Sequence, residues 1–335
     1  LLTFDALNRI LERERSRSDR TGEVFSLAVF TLTGAAATAS QTMMHLADIL
    51  ERRLRVTDDA GLLDPRRIGV VLPATPASGA WTLIDDVCVC VPSGLPLPEC
   101  RVYSYPSGWP ETSGDVSDEV VDEERPALPM AQLFIQHLPR WKRTIDIVGA
   151  SMGLMVLSPL LALAALAIKA TSRGPVFFQQ RRSGLGGRPF WMIKFRSMVV
   201  DAEARKSSLM ALNEQDGPAF KIKKDPRVTV VGRLIRSTSI DELPQLWNVL
   251  RGDMSLVGPR PLPCHETDSC QGWLRQRLDV TPGLTCIWQV CGRSKVSFAD
   301  WVRMDVKYIR SRSLGGDMKL LLQTVPAVVS RKGAS

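Results

Sequence analysis

Asp241 and Glu242 place two carboxylates side by side in a run, RSTSIDELPQLWNVLRGDMSLVGPRP from Arg236 to Pro261, that also carries Arg236, Arg251 and Arg260. An ionised carboxylate of this kind serves as a nucleophile or as a hard oxygen ligand, and arginines hold phosphate through paired N–H donors. Together they point to chemistry on a phosphate ester. A plainer reading stands beside it. Ser239 and Glu242 have the spacing of a capping box, which would make both residues the closure of a helix end. The flanking arginines, one of them between Pro259 and Pro261, exceed what a cap requires.

Elements must hold these groups in place. Pro244 suits the first turn of a helix, where its missing N–H leaves no bond unmade, so a helix is predicted to begin near Asp241. Its apolar stripe reads Leu243, Leu246, Trp247 and Leu250, and Gly252 ends it. MSLVGPRP then reads as a short strand entering a rigid turn. Upstream, Ile147 to Ile168 gives 22 positions without a charge, enough by count for a transmembrane helix. Ser158-Pro159 divides that segment into arms of about 11 residues, each roughly 16 Å, about half a hydrocarbon core. Lys142 and Arg143 before it and Lys169 and Arg173 after it put both flanks on the same side. The pattern predicts a hairpin over 143–171 that enters and leaves one membrane face.

The SIDELPQ and GDMSLVGPRP blocks resemble the signature of the monotopic polyprenyl-phosphate phosphoglycosyl transferases, the bacterial sugar transferase family. Further blocks follow in family order: Gly174-Pro175 with Phe178, Gln180, Arg182 and Gly184; KFRSM from Lys194; DPRVT from Asp225; PGLT from Pro282; WQVCGR from Trp288; and Gly333-Ala334. The resemblance covers about 138–335. It implies transfer of a phosphosugar from a nucleotide diphosphate-sugar, with uridine the family norm, to polyprenyl phosphate through an aspartyl-phosphosugar on Asp241. It also implies Mg²⁺ at Asp241 and Glu242, and a re-entrant helix-break-helix at Ser158 and Pro159 on the cytoplasmic face of a bacterial inner membrane. By motif position, Arg236, Lys194, Arg196 and Arg260 are candidates for the substrate phosphates, and Gln289 and Arg293 for other substrate contacts. Arg293, Asp305 and Asp317 are equally suited to structural ion pairs, and Trp288 to the core. Cys286 and Cys291 depart from the family's usual glycine and serine, and Gly186-Gly187 from a turn that usually carries an amide or acid.

Composition divides the chain at the same place. From Leu138 onward there are 31 Lys+Arg against 15 Asp+Glu, and before it 12 against 20, giving about +16 and −8. A basic catalytic part suits diphosphate and an anionic membrane surface. The expected class is α+β: a small α+β domain over 1–104, a Pro/Ser/Gly/acid-rich linker over 105–137, and the membrane-associated catalytic domain over 138–335. In the first domain, strands are predicted at Phe25–Thr31, Gly61–Leu63, Ile68–Leu72 and Arg101–Ser104, with helices about 40–55 and 79–88. FSLAVFTL, LERRLRVTDDAGLL and RRIGVVLPATPASGA resemble a degenerate diguanylate-cyclase-like fold in which DPRRIG occupies the place of the catalytic loop, so cyclase activity is not expected. The first residues read as an amphipathic helix and not as a signal peptide. Seven cysteines without a CxxC pair and three histidines favour reduced thiols over zinc or disulfides. No nucleic-acid partner is expected, because the arginines sit in scattered motif positions without interleaved aromatics. Expected partners are nucleotide-sugar, polyprenyl phosphate and membrane lipid, with a homo-oligomer left open.

Overall fold

The computed structural model describes residues 1–106, 125–205, 208–209, 213, 222, 225–270, 272–291 and 296–329. They fall into two units, Leu1–Phe134 and Ile135–Ser335. Most of the expected linker, and Arg293 and Gly333-Ala334, lie outside the described residues.

The first unit is built on period-two strands. Helix α1 (Phe4–Thr21) leads to β1 (Phe25–Thr31), α2 (Ala36–Arg53), β2 (Asp59–Asp64), β3 (Arg67–Leu72), α3 (Ala77–Val89), β4 (Glu99–Tyr105) and β5 (Leu128–Pro129). The sheet order is β2-β3-β1-β4-β5, antiparallel except for β4 with β5. Along β1, Phe25, Leu27 and Val29 join Leu7 and Leu11 of α1, whereas Ala28 and Phe30 join Leu46, Leu50 and Ile84 of α2 and α3. Both faces of the sheet are thus apolar and both are covered, as alternation along a strand dictates. Residues 128–134 belong to this unit, so the connection expected over 105–137 is shorter than its composition suggested.

In the second unit, helix α4 (Arg140–Thr171) precedes a hairpin, β6 (Phe177–Ser183) and β7 (Pro189–Phe195), with Phe178 opposite Lys194 and Gln180 opposite Met192. Helix α5 (Val230–Ser237), a 3-10 turn at Ile240–Glu242, α6 (Gln245–Arg251), β8 (Ser255–Val257) and the short α7 (Cys264–Asp268) follow. Next come β9 (Gly283–Thr285), α8 (Ile287–Cys291), α9 (Phe298–Ser311) and α10 (Leu314–Val329). Strands β8 and β9 run parallel, and Gly258 and Gly283 meet backbone to backbone: a Cβ on Gly283 would lie 2.0 Å from the Gly258 nitrogen.

Helix α4 differs from expectation. Its 32 residues form one helix, about 48 Å by rise, with Pro159 inside it and no non-helical break. The proline leaves the Met155 carbonyl without its usual amide donor, and the Ser158 hydroxyl donates to that oxygen at 2.8 Å. One stripe of α4 packs on the unit along its length: Ile145, Ala150 and Leu154 on the cluster with Leu246 and Leu256, and Leu161, Ala164 and Ile168 on the cluster with Phe195 and Ile235. The other stripe, including Val148, Met152, Met155, Val156, Leu163 and Leu166, is apolar and exposed.

Both ends of α4 are fastened to the same unit. Near its start, Arg143 donates to the Val249 and Leu250 carbonyls at the end of α6, and Asp146 accepts from Ser255 Oγ and the Leu256 amide. Buried Lys142 pairs with Asp317 of α10, which also accepts from Tyr308. At its far end, Arg196 donates to the Ser172 and Arg173 carbonyls at 3.0 and 2.9 Å and to Ser172 Oγ at 2.6 Å. A cation here also suits the negative end of the helix dipole. Gly174, at φ +117°, makes room for that guanidinium, since a Cβ there would stand 2.1 Å from Arg196 Nη1.

Candidate active site

Asp241 is carried by the 3-10 turn, and the local fold explains its freedom. Ser239 adopts a left-handed conformation, φ 57°, and its side chain caps nothing, so the capping box does not form. Pro244 is the N-cap of α6, which begins at Gln245, later than the predicted start near Asp241. The buried face of α6 is Gln245, Leu246, Asn248 and Val249; Trp247, assigned to the stripe from spacing, points outward at 52% exposure.

The two carboxylates have different fates. Glu242 accepts from Lys194 Nζ at 3.1 Å and from both terminal nitrogens of Arg260. Asp241 is 8% exposed and has no hydrogen-bond partner among the described residues. Burial first, and the charge of Glu242 second, push Asp241 up to about 6 against the pull of Lys194, Arg236 and Arg260. Burial alone would raise Glu242 as well, but the charges and hydrogen bonds of Arg260 and Lys194 hold it far below the usual carboxylate range. Burial brings Lys194 down to about 8, with Glu242 opposing the shift.

Asp241 lines a cavity of about 270 Å³ together with Lys194, Arg196, Arg236, Arg182 and Gln180. These cations are not equivalent. Arg182 is chelated to Gln180 Oε1 at 3.0 and 2.7 Å, Lys194 is paired with Glu242, and the Arg196 guanidinium serves the end of α4. Arg196 therefore braces a helix, where motif position had assigned it to phosphate. Arg236 has no hydrogen-bond or ion-pair partner among the described residues, which leaves its guanidinium available beside Asp241.

Other candidates separate from this cavity. Gln289 accepts from Cys286 Sγ at 3.1 Å and is absent from the cavity wall. Asp305 is buried with Arg277 at 3.0 Å, and Trp288 packs on Trp301, which makes both structural. Arg277 also donates to the Arg260 carbonyl at 2.6 Å and so holds the Pro259-Arg260-Pro261 turn from behind. Asn248 was not anticipated. Its amide accepts from the Ile193 N–H at 3.0 Å and donates to the Trp191 carbonyl at 2.7 Å, clipping α6 to the free edge of β7 and setting Lys194 beside the dyad. A polar residue inside an apolar helical face was the available signal.

No cluster of three metal-ligating side chains occurs among the described residues. The bare Asp241 carboxylate beside Glu242 fits an ion such as Mg²⁺, which takes one or two protein carboxylates and completes its shell with water and phosphate oxygens.

Residues 137–331 match the family described as Bacterial sugar transferase. The chain is 43% identical over 194 residues to the galactosyl transferase CpsE of Streptococcus agalactiae serotype III, covering 58% of this chain and 43% of that protein. It is 39% identical over 197 residues to the exopolysaccharide production protein ExoY of Rhizobium meliloti, covering 58% and 87%. With the UDP-glucose:undecaprenyl-phosphate glucose-1-phosphate transferase of Caulobacter vibrioides it shares 43% over 203 residues, covering 58% and 71%. The chain thus spans less than half the length of the first of these relatives. Among solved structures, the diguanylate cyclase SiaD with its activator SiaC from Pseudomonas aeruginosa is similar at 20% identity, over 32% of this chain and 48% of that chain, with a TM-score of 0.29. At that score the likeness says nothing of activity.

Proposed function

Since the chain belongs to the bacterial sugar transferase family, we propose that it transfers a sugar 1-phosphate from a UDP-sugar to undecaprenyl phosphate, an initiating step of polysaccharide synthesis at a membrane. The observation that carries the chemistry is the contrast within the dyad. Glu242 is neutralised by two cations, whereas Asp241 is buried and, among the described residues, neither it nor the neighbouring Arg236 has a hydrogen-bond or ion-pair partner. A carboxylate with no donors to satisfy keeps its lone pairs for attack.

In the proposed course, an Asp241 oxygen bonds to the sugar-bearing phosphorus and the bond from that phosphorus to the bridging oxygen breaks, so UMP leaves with the electron pair. An oxygen of undecaprenyl phosphate then attacks the same phosphorus. The acyl phosphate bond breaks, and the carboxylate is restored. Arg236 binds the diphosphate, and Lys194 and Arg260 hold Glu242 and add positive potential at the reacting phosphate. Mg²⁺ held by Asp241 and Glu242 would offset charge on the phosphate oxygens.

The lipid substrate and the exposed apolar stripe of α4 support a location at the membrane. Because both ends of α4 are anchored on one folded unit, a re-entrant course on the cytoplasmic face, bending at Pro159 where the helix lacks a backbone donor, fits better than a crossing. Tags at Gln136 and Arg173 should report the same side; opposite sides would refute the re-entrant course. For the chemistry, UMP release is measured from a panel of UDP-sugars with Mg²⁺ and undecaprenyl phosphate. Asp241→Asn should abolish it, and release at the wild-type rate would remove Asp241 as nucleophile.

A further inference from the structure

The cavity beside Asp241 continues along the hairpin floor, and its chemistry changes along the way. Phe178, Gln180 and Arg182 alternate onto one face of β6, and Phe178 stands opposite Lys194. Two residues farther along, roughly 7 Å at the strand rise, comes Gln180. Its amide is fixed from behind: Arg182 donates to Gln180 Oε1, while Gln180 Nε2 points to Glu203 Oε1 at 3.5 Å. The chain of bonds ends at Glu203, whose second carboxylate oxygen has no hydrogen-bond partner among the described residues and whose side chain lines the cavity. Arg182 is itself anchored to the Pro261 carbonyl at 2.9 Å, next to Arg260.

A carboxylate in this position repels phosphate. It is a strong acceptor for hydroxyl hydrogens, and the Gln180 amide beside it is a donor. Phe178, in register opposite Lys194 and two residues before Gln180, adds an apolar side chain to the same cavity wall.

We propose that Glu203, positioned by the Arg182–Gln180 chain, accepts hydrogen bonds from the donor's sugar hydroxyls and sets which sugar 1-phosphate is transferred. This rests on the phosphosugar-transfer reading above. It makes Glu203 and Gln180 specificity residues, distinct from the groups at the reacting phosphorus.

The test measures kcat/KM of full-length wild type, Glu203→Gln, Glu203→Ala and Gln180→Leu for UDP-glucose, UDP-galactose, UDP-N-acetylglucosamine and the 2′-deoxyuridine form of the best donor. Thermal unfolding serves as the check on folding. The preferred sugar should lose about ten- to a hundredfold, the range for one hydrogen bond to a charged group. Poorer donors should lose much less, so that the preference flattens. Removing the ribose 2′-hydroxyl should cost wild type and variants by the same factor. An equal loss across all sugars in folded variants would overturn the proposal. A 2′-deoxy penalty seen in wild type but missing in the Glu203 variants would overturn it too, by placing the ribose at Glu203. If wild type releases UMP from no donor, the transferase reading itself fails; if it turns over normally and the variants keep its selectivity, only this inference does.

Discussion

Among the described residues no donor meets the Asp241 carboxylate, so the charges of Lys194, Arg236 and Arg260 are what favour its ionised form against burial. With the ionised form as the attacking one in the proposed course, its value of about 6 predicts that kcat/KM rises with pH below that point and levels above it. A pH profile of UMP release checks this. Replacing Glu242 by Gln removes the neighbouring negative charge and frees two cations, so the midpoint should move down, whatever rate survives. Arg236→Ala should lower kcat/KM by about ten- to a hundredfold, the cost of losing a hydrogen bond to a charged group, while leaving thermal unfolding nearly unchanged because the guanidinium supports no other described residue. The sequence made the dyad legible, because two acids among arginines are rare company for a plain helix cap. It could not show which acid was free. That distinction comes from Lys194 and Arg260 meeting Glu242, and both lie far from the dyad's own turn or beyond its helix.

At the scale of elements, strand alternation predicted β1 to the residue and β2, β3 and β4 within two residues at each end, because both faces of that sheet meet apolar helices, whereas β5 went unpredicted inside the expected linker. Motif position assigned Lys194 and Arg196 alike to the substrate phosphates without saying what each would meet: Lys194 finds the dyad and Arg196 finds the end of α4. Arg196→Ala should therefore destabilise the second unit by about 1–3 kcal/mol, the penalty for acceptors left unpaired, as read by denaturant unfolding in detergent. Gly283→Ala should be worse, at about 3 kcal/mol, the upper end for overpacking, because the added atom would strike the backbone of Gly258. The helix does not end at Ser158-Pro159, for a definite reason. Proline removes one donor, and the preceding hydroxyl replaces it on the same carbonyl, so helical bonding carries on.

For the whole molecule, the unequal charge of the two parts, about +16 after Leu138 and −8 before it, has a measurable result. Vesicle binding should strengthen with anionic lipid and weaken as salt rises from 0.05 to about 0.5 M, since screening shortens the reach of the basic part. Binding unaffected by salt would leave the apolar stripe of α4 as the sole attachment. Charge asymmetry set the expected boundary near Leu138, and the structure falls into two units that part between Phe134 and Ile135. The exact seam was not visible, because residues 128–134 join the first sheet through a short parallel pairing that no local pattern announces.

Arg143 grips the last turn of α6, and Arg196 grips the last turn of α4. The apolar rod is thereby yoked at two points to the parts that carry Asp241 and Lys194. With that rod bedded in lipid as proposed, a bilayer too thick or too thin for it would strain these moorings, so acyl-chain length becomes a dial on turnover.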